Sequence, residues 1–344
     1  MRDFDYSSLK NKTWDSEIIS LVAQIHEYKG RQEVYLRQKP EELEKLVEIA
    51  KRQSTEASNA IEGIRTTSTR LKQLCEEKTT PKNRDEEEIL GYRDVLNTIH
   101  ESYEYIPIRS NYILQLHRDL YKYTEKSIGG QFKISQNVIV SKDEKGEEHV
   151  LFTPLAPFEK PGAIDSICEN FNHIIETEEL DAILLIPIFI HDFLCIHPFG
   201  DGNGRMSRLL TALLLYRSGY VVGKYISIEN KIAKNKELYY KALEECQEGW
   251  HENKEDVTPF VKYMLRVILA AYRDFEERVE LVSEKLPAKE IVRRAKLSKS
   301  DIVELCPSIG VKSVELALKQ LVDEGVLLKK GSGRATFYVR SDSE

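Results

Sequence analysis

The hydrophobic pattern is helical along most of the chain. Between Glu41 and Gln53, Leu43, Leu46, Val47 and Ala50 recur at three- and four-residue intervals, and Asp85–Glu101 repeats the spacing with Ile89, Leu90, Val95, Leu96 and Ile99. Such intervals place apolar side chains on one face of an α-helix. Another helix is expected from Ser110 to Tyr123, with Ser110 as its N-cap, and Gly129-Gly130 closes that region. The period then changes. Val138-Ile139-Val140 and His149-Val150-Leu151-Phe152 flank a polar stretch, Ser141–Glu148, which contains Gly146; this predicts a β-hairpin. Pro154, Pro157 and Pro161 interrupt regular structure. Helices are expected beyond them over Ala163–Glu176, Glu179–Leu194, Arg205–Ser218, Lys234–Glu248 and Thr258–Val282.

From Lys285 the pattern is two short helices, a longer helix (Val311–Asp323) and two strands (Val326–Lys330 and Ala335–Val339) joined by Gly331-Ser332-Gly333-Arg334. This is the order of a winged helix-turn-helix. The tail carries 12 Lys and Arg against 8 Asp and Glu, whereas the whole chain has a net charge of −7. Lys312, Ser313 and Lys319 on the longer helix, with Lys329, Lys330 and Arg334 on the wing, suit phosphate contacts. The same helix also carries Glu315, Asp323 and Glu324 and no arginine. DNA binding and protein docking both remain open for the tail.

The chain has 344 residues, 41% hydrophobic and 31% charged, which suits two or three globular domains. Its first residues are polar, so no signal peptide is expected. The most apolar stretch, Leu180–Phe199, is interrupted by Asp181, Pro187, His191, Asp192 and His197 and makes a poor membrane span. The five cysteines are scattered without metal-ligand spacing. Reduced thiols in a cytoplasmic protein, with no membrane partner, are the expectation.

Twelve consecutive residues, His197 to Arg208, carry the candidate chemistry. An apolar helix ends before them, and a second begins near Arg205. Gly200, Gly202 and Gly204 let backbone N–H groups approach an anion, and the start of the second helix adds unpaired donors and a positive dipole end. Arg205 and Arg208 offer guanidinium forks to phosphate oxygens. Asp201 suits Mg2+ through its oxygens, Asn203 has an amide for a phosphate oxygen, and His197 suits a general base. Together these are the parts that phosphoryl-type transfer uses.

The run His197-Pro198-Phe199-Gly200-Asp201-Gly202-Asn203-Gly204-Arg205-Met206-Ser207-Arg208 resembles the Fic (filamentation induced by cAMP) family motif at every fixed position. The resemblance implies transfer of AMP from ATP, with Mg2+, onto a Tyr, Thr or Ser hydroxyl of a target protein. It implies His197 as base, Asp201 as metal ligand, Arg205 and the glycines as phosphate binders, and Arg208 on the terminal phosphate. Phe199 would be a core anchor. The hairpin over Asn137–Phe152 lies where the family has a flap that aligns its target by strand pairing. Tyr239 and Tyr240 resemble the aromatics that pack on adenine, although core packing explains them equally well.

A second motif, Ser58-Asn59-Ala60-Ile61-Glu62-Gly63, resembles the family's inhibitory sequence. Ser58 and Glu62 fall on one helical face, and Gly63 suits a helix end. The resemblance implies that Glu62 pairs with Arg208 in the place of the γ-phosphate and so restrains the enzyme. The same Glu62 would suit activation of water for removal of AMP.

The expected fold is mainly α: an N-terminal helical domain (1–105) bearing the inhibitory motif, a Fic-fold helical core with a hairpin flap (106–282) and a winged-helix module (285–344). The expected function is protein adenylylation. Removal of AMP, transfer from UTP, GTP or a phosphocholine carrier, and a DNA-binding regulator that uses the core as a nucleotide sensor are the alternatives. Self-modification and a homodimer are compatible with this reading.

Overall fold

Helix α7 (Ala182–Ile196) is apolar on all sides, and every residue of it except Ala182 and Leu194 is buried. A helix of that composition belongs at the centre of a core. In the computed structural model, which describes residues 2–38, 40–125, 128–142, 148–283, 297–299, 311–331 and 336–340, it does so. Helices α6 (Lys160–Thr177), α8 (Asn203–Arg217) and α11 (Thr258–Ser283) pack around it. Helix α1 (Ser16–Gln38) lies along α11, and α2 (Pro40–Ile61) packs on α4 (Arg84–Ser102) and α9 (Ile228–Lys234). The short α3 (Ser68–Cys75) joins α4, α5 (Ser110–Leu120) bridges α4 and α6, and α10 (Lys236–Gln247) packs on α11. Among the described residues, no helix is long and apolar enough to cross a membrane.

One polar anchor pins the N-terminus to this core. Asp192 of α7 is fully buried, and burial pushes its carboxyl pKa up. Three donors hold it: Arg2 Nη2 at 2.9 Å, the Tyr6 hydroxyl at 2.9 Å and Trp250 Nε1 at 2.7 Å. Arg2 also bonds Glu255 and the Trp250 carbonyl, and its guanidinium lies 4.3 Å from the Trp250 ring centroid. A charge so deep is tolerated because it is paired and hydrogen-bonded.

The hairpin forms from β1 (Ile139–Lys142) and β2 (Glu148–Phe152), antiparallel, with Val140 opposite Val150. Its base is fixed by the same tryptophan region. Phe152 stacks on His251 at 5.4 Å and meets Trp250 edge-on, and His251 Nε2 lies 2.9 Å from the Thr153 carbonyl. In the tail, α12 (Val311–Asp323) precedes β4 (Leu327–Lys330) and β5 (Phe337–Arg340). With β3 (Leu297–Ser298) these strands form an antiparallel sheet in the order β3-β5-β4. The two short helices expected before α12, together with Arg334 and the Ser313 side chain, lie outside what the structure describes.

Three elements differ from the sequence pattern. The helical pattern over Glu41–Gln53 and the short helical element that bears Ser58 and Glu62 are one continuous helix, α2, which ends at Ile61. Its inward face there is Ser54, Thr55, Ser58 and Asn59, all buried and hydrogen-bonded: Ser54 Oγ, for example, donates to Glu229 at 2.7 Å. Ser110 is not the N-cap of α5; Arg109 takes that position, and the Ser110 hydroxyl bonds Asp165 of α6 instead. The helix expected over Lys234–Glu248 begins after Asn235, and a separate α9, capped by Ser227, precedes it.

Helices α4 and α5 meet backbone to backbone at Gly91, where a Cβ would lie 1.9 Å from the Leu120 carbonyl oxygen. Gly91→Ala should therefore lower the free energy of unfolding by about 1–3 kcal/mol. An unchanged midpoint in urea would contradict this crossing.

Candidate active site

The candidate site lies where α7 ends and α8 begins. Helix α7 terminates at His197, whose backbone is left-handed (φ 51°, ψ 61°), and α8 starts after Gly202 at φ 81°. Asn203 clamps the loop between them. Its side-chain oxygen accepts from the Phe199 N–H (3.0 Å), and its amide donates to the Phe199 carbonyl (2.9 Å). Asp201 accepts from the Gly202 N–H at 2.7 Å and remains partly exposed.

Below the loop, Phe199 is fully buried and stacks on the His117 ring at 3.7 Å and 3°. The Gly130 N–H donates to His117 Nδ1 at 3.0 Å, so the ring proton sits on Nε2 and is donated to the Asp201 carbonyl at 3.1 Å. Burial pushes the His117 pKa down to about 4, which keeps this bridge neutral.

The two arginines of α8 are both buried. Arg205 Nη2 lies 2.7 Å from Glu88 Oε2 and donates to the Tyr121 hydroxyl at 2.7 Å. Glu88 also accepts from Arg84 Nε at 2.7 Å, and Asp201 lies 3.9 Å from both Arg84 and Arg205. Arginine and carboxylate thus alternate from α4 to the loop. Among the described residues, Nε and Nη1 of Arg205 have no hydrogen-bond partner.

Arg208 faces α2. Its Nε donates to Ser58 Oγ at 2.8 Å, and Nη2 donates to the Ser58 carbonyl at 3.0 Å and to Glu62 Oε1 at 2.8 Å. Glu62 follows the last residue of α2, where Glu62 and Gly63 N–H groups bond back to Asn59 and Ala60 and Gly63 takes φ 82°. Lys236 Nζ holds the same helix end through the Ile61 carbonyl at 2.6 Å. The Glu62 side chain is 32% exposed and lies over the first turn of α8: a Cβ at Gly204 would come within 2.3 Å of its Oε1. A carboxylate therefore sits at the kind of helix start that favours anions. Gly202 is required for a different reason, since a Cβ there would lie 2.9 Å from the Tyr121 hydroxyl. Gly200 is exposed and has open space around it.

His197 is half-buried, with Nδ1 3.3 Å from the Leu194 carbonyl. That contact puts the proton on Nδ1 and leaves the Nε2 lone pair available. Burial pushes its pKa down to about 4; the Leu194 carbonyl opposes this, and the Lys160 and Lys133 charges add to it. The imidazole is consequently neutral at physiological pH.

Tyr239 is buried among Phe260 and Tyr263, with its hydroxyl hydrogen-bonded to Ser207, so its ring belongs to the core. Tyr240 packs edge-on against it and keeps 43% of its surface open, close enough to feel the charges of Glu62 and Arg208. Sequence reasoning did not find Glu88, Tyr121 or Lys160 and did not place His117 in the site. Each comes from a separate element, at no spacing that ties it to the loop. Among the described residues, no group of three or more His, Cys, Asp or Glu could by itself hold a metal ion.

Comparison with known proteins agrees with this geometry. Residues 107–215 match the Fic/DOC family model. The protein adenylyltransferase Fic of Drosophila grimshawi is 28% identical over 184 residues, which cover 52% of this chain and 32% of that protein. The protein of the same name from Drosophila yakuba is 30% identical over 181 residues, 52% of this chain and 31% of its own. The chain thus matches only about a third of the length of these curated relatives. Among solved structures, a Fic family protein from Desulfovibrio desulfuricans G20 superposes over 97% of this chain and 98% of its own, with a TM-score of 0.62 at 20% identity. A Fic domain containing signaling protein from Bacteroides thetaiotaomicron VPI-5482 covers 75% of this chain and 94% of its own, with a TM-score of 0.60 at 25% identity. Motif, matched segment and fold agree: residues 107–215 of the chain match the Fic/DOC family, and the fold is similar to that of solved Fic family proteins.

Proposed function

We propose that this protein transfers AMP from ATP to a hydroxyl side chain of a protein and that Glu62 restrains the reaction. One observation carries the reading: the Arg208–Glu62 pair lies across the start of α8. A base with an available Nε2 ends the preceding helix. The target hydroxyl oxygen attacks the α-phosphorus, the bond from that phosphorus to the bridging oxygen breaks, and pyrophosphate leaves. The hydroxyl proton passes to His197 Nε2, which is unprotonated at neutral pH. The first-turn N–H groups of α8, with Gly202 and Gly204, would receive phosphate oxygens.

Mg2+ fits Asp201: its carboxylate is oxygen-only, partly exposed and oriented by the Gly202 N–H. Magnesium commonly takes one or two carboxylates and fills its shell with substrate phosphates and water. The ion would neutralise phosphate charge. Arg205, buried and held by Glu88 and Tyr121, would offset phosphate charge from beneath the loop, and Tyr240 is the ring open to an adenine. The hairpin, anchored through Phe152 and His251, would present an edge to the target segment.

The restraint follows from charge. Arg208 spends Nη2 on Glu62, and a carboxylate and a γ-phosphate cannot occupy one guanidinium edge without repulsion. The name of these relatives, protein adenylyltransferase, supports ATP as the donor. Removal of AMP by a water activated at Glu62 would use the same site.

In the tail, Lys312, Lys319, Lys329 and Lys330 are exposed, and Glu315, which weighs against DNA, is paired to Lys299 at 2.8 Å. This arrangement favours a phosphate partner, and we read the tail as a winged helix that docks on duplex DNA. The full chain should retard duplex DNA at low salt and release it as salt rises; no retardation at low salt would remove this reading.

Transfer is checked with ATP tagged on its α-phosphate, Mg2+ and a cell extract as a source of targets. Glu62→Gly should raise protein labelling by about tenfold or more, and adding His197→Ala should reduce it by about 10²–10⁴-fold. Absence of labelling in every form would sink the proposal.

A further inference from the structure

Lys160 is a fully buried ammonium that none of the chemistry above uses. It begins α6, and its Nζ donates to two carbonyls at the end of α7: Ile196 at 2.7 Å and His197 at 3.0 Å. Those carbonyls belong to the two peptide groups that flank the His197 Cα. The first peptide plane sets φ of His197, and the second sets ψ. A single cation bonded to both fixes the two torsions together. The conformation it fixes is an unfavourable one. His197 is left-handed without being glycine, and it precedes Pro198, whose ring disfavours helical torsions in the residue before it. The next carbonyl, that of Pro198, is held by the Lys133 N–H at 2.9 Å. A cation at the C-terminal end of α7 also meets the negative end of the helix dipole.

Building on the transfer reading above, we propose that Lys160 is a positioning residue for His197: by bonding the carbonyls on both sides of it, Lys160 holds the backbone turn that aims the imidazole. Three charged groups act on His197. Lys160 from α6 and Lys133 from the segment before β1 disfavour its protonation, and Glu62 beyond the end of α2 favours it. Burial pushes the Lys160 pKa down to about 8, so the ammonium form prevails at neutral pH. Loss of Lys160 removes both the clamp and one of the two cations. The imidazole should then become easier to protonate and less well aimed.

The test compares Lys160→Met, and Lys160→Gln in case the first variant does not fold, each in the Glu62→Gly background, with the melting temperature as the folding control. His197 is followed through its own imidazole NMR signal, identified by its absence in His197→Gln, so the readout does not depend on transfer. The expected result is a rise of about half a unit in the His197 pKa. Alongside it, kcat should fall by about tenfold or more, with KM for ATP within about twofold, because aim is lost and binding is not. An unchanged His197 titration with unchanged kcat in a folded variant would overturn the proposal. If no form labels protein, the His197 titration alone still decides whether Lys160 positions it.

Discussion

Arg208 is the point on which the site turns. Its guanidinium is buried where the end of α2 meets the first turn of α8. A buried guanidinium must be satisfied wherever it stands, and here Ser58 supplies two of its bonds and Glu62 the third. The two Ser58 bonds are buried and tie α8 to the docked α2. The Glu62 bond is different, because its carboxylate is partly open to solvent and sits over Gly204. On the proposed reading, a ligand phosphate would replace Glu62 on that edge without unpacking Ser58, and Glu62 would be the exchangeable third partner.

The helix ends around Arg208 depend on side chains that bond backbone carbonyls. Lys236 holds the end of α2 at Ile61, and Lys160 holds the end of α7 at Ile196 and His197. The loop that follows α7 is closed by Asn203 from above and by the neutral His117 from below. A phosphate site needs backbone donors held in place before the ligand arrives, since reorganising them during the reaction would cost rate. The polar clamps supply that rigidity. The apolar axis of α7, pinned through Asp192 to Arg2, Tyr6 and Trp250, supplies the foundation.

Much of this was written in the sequence because twelve contiguous residues carry most of the candidate chemistry and helical spacing marks the helices around them. Helix α12 and the hairpin were also readable from periodicity. Four features were not. The last turns of α2 present Ser54, Thr55, Ser58 and Asn59 inward, so apolar spacing does not join them to the turns before Gln53 as one helix. The Ser110 hydroxyl had a tertiary partner, Asp165, in place of a capping role. Lys160, Glu88 and Tyr121 reach the site only through the packing of α6, α4 and the turn after α5, and nothing in their spacing ties them to His197. Tyr239 and Tyr240 read alike as a pair, but the fold sends the first into the core and leaves the second open.

The central claim is that Arg208 serves two anions in turn: Glu62 at rest and a phosphate during transfer. The most direct test compares α-phosphate labelling by Glu62→Gly with labelling by Glu62→Gly/Arg208→Ala over a range of ATP concentrations. If the arginine is shared, the second substitution removes the gain that the first one gives, because the freed edge no longer has a guanidinium to offer. Equal labelling by the single and double variants at every ATP concentration would contradict the account.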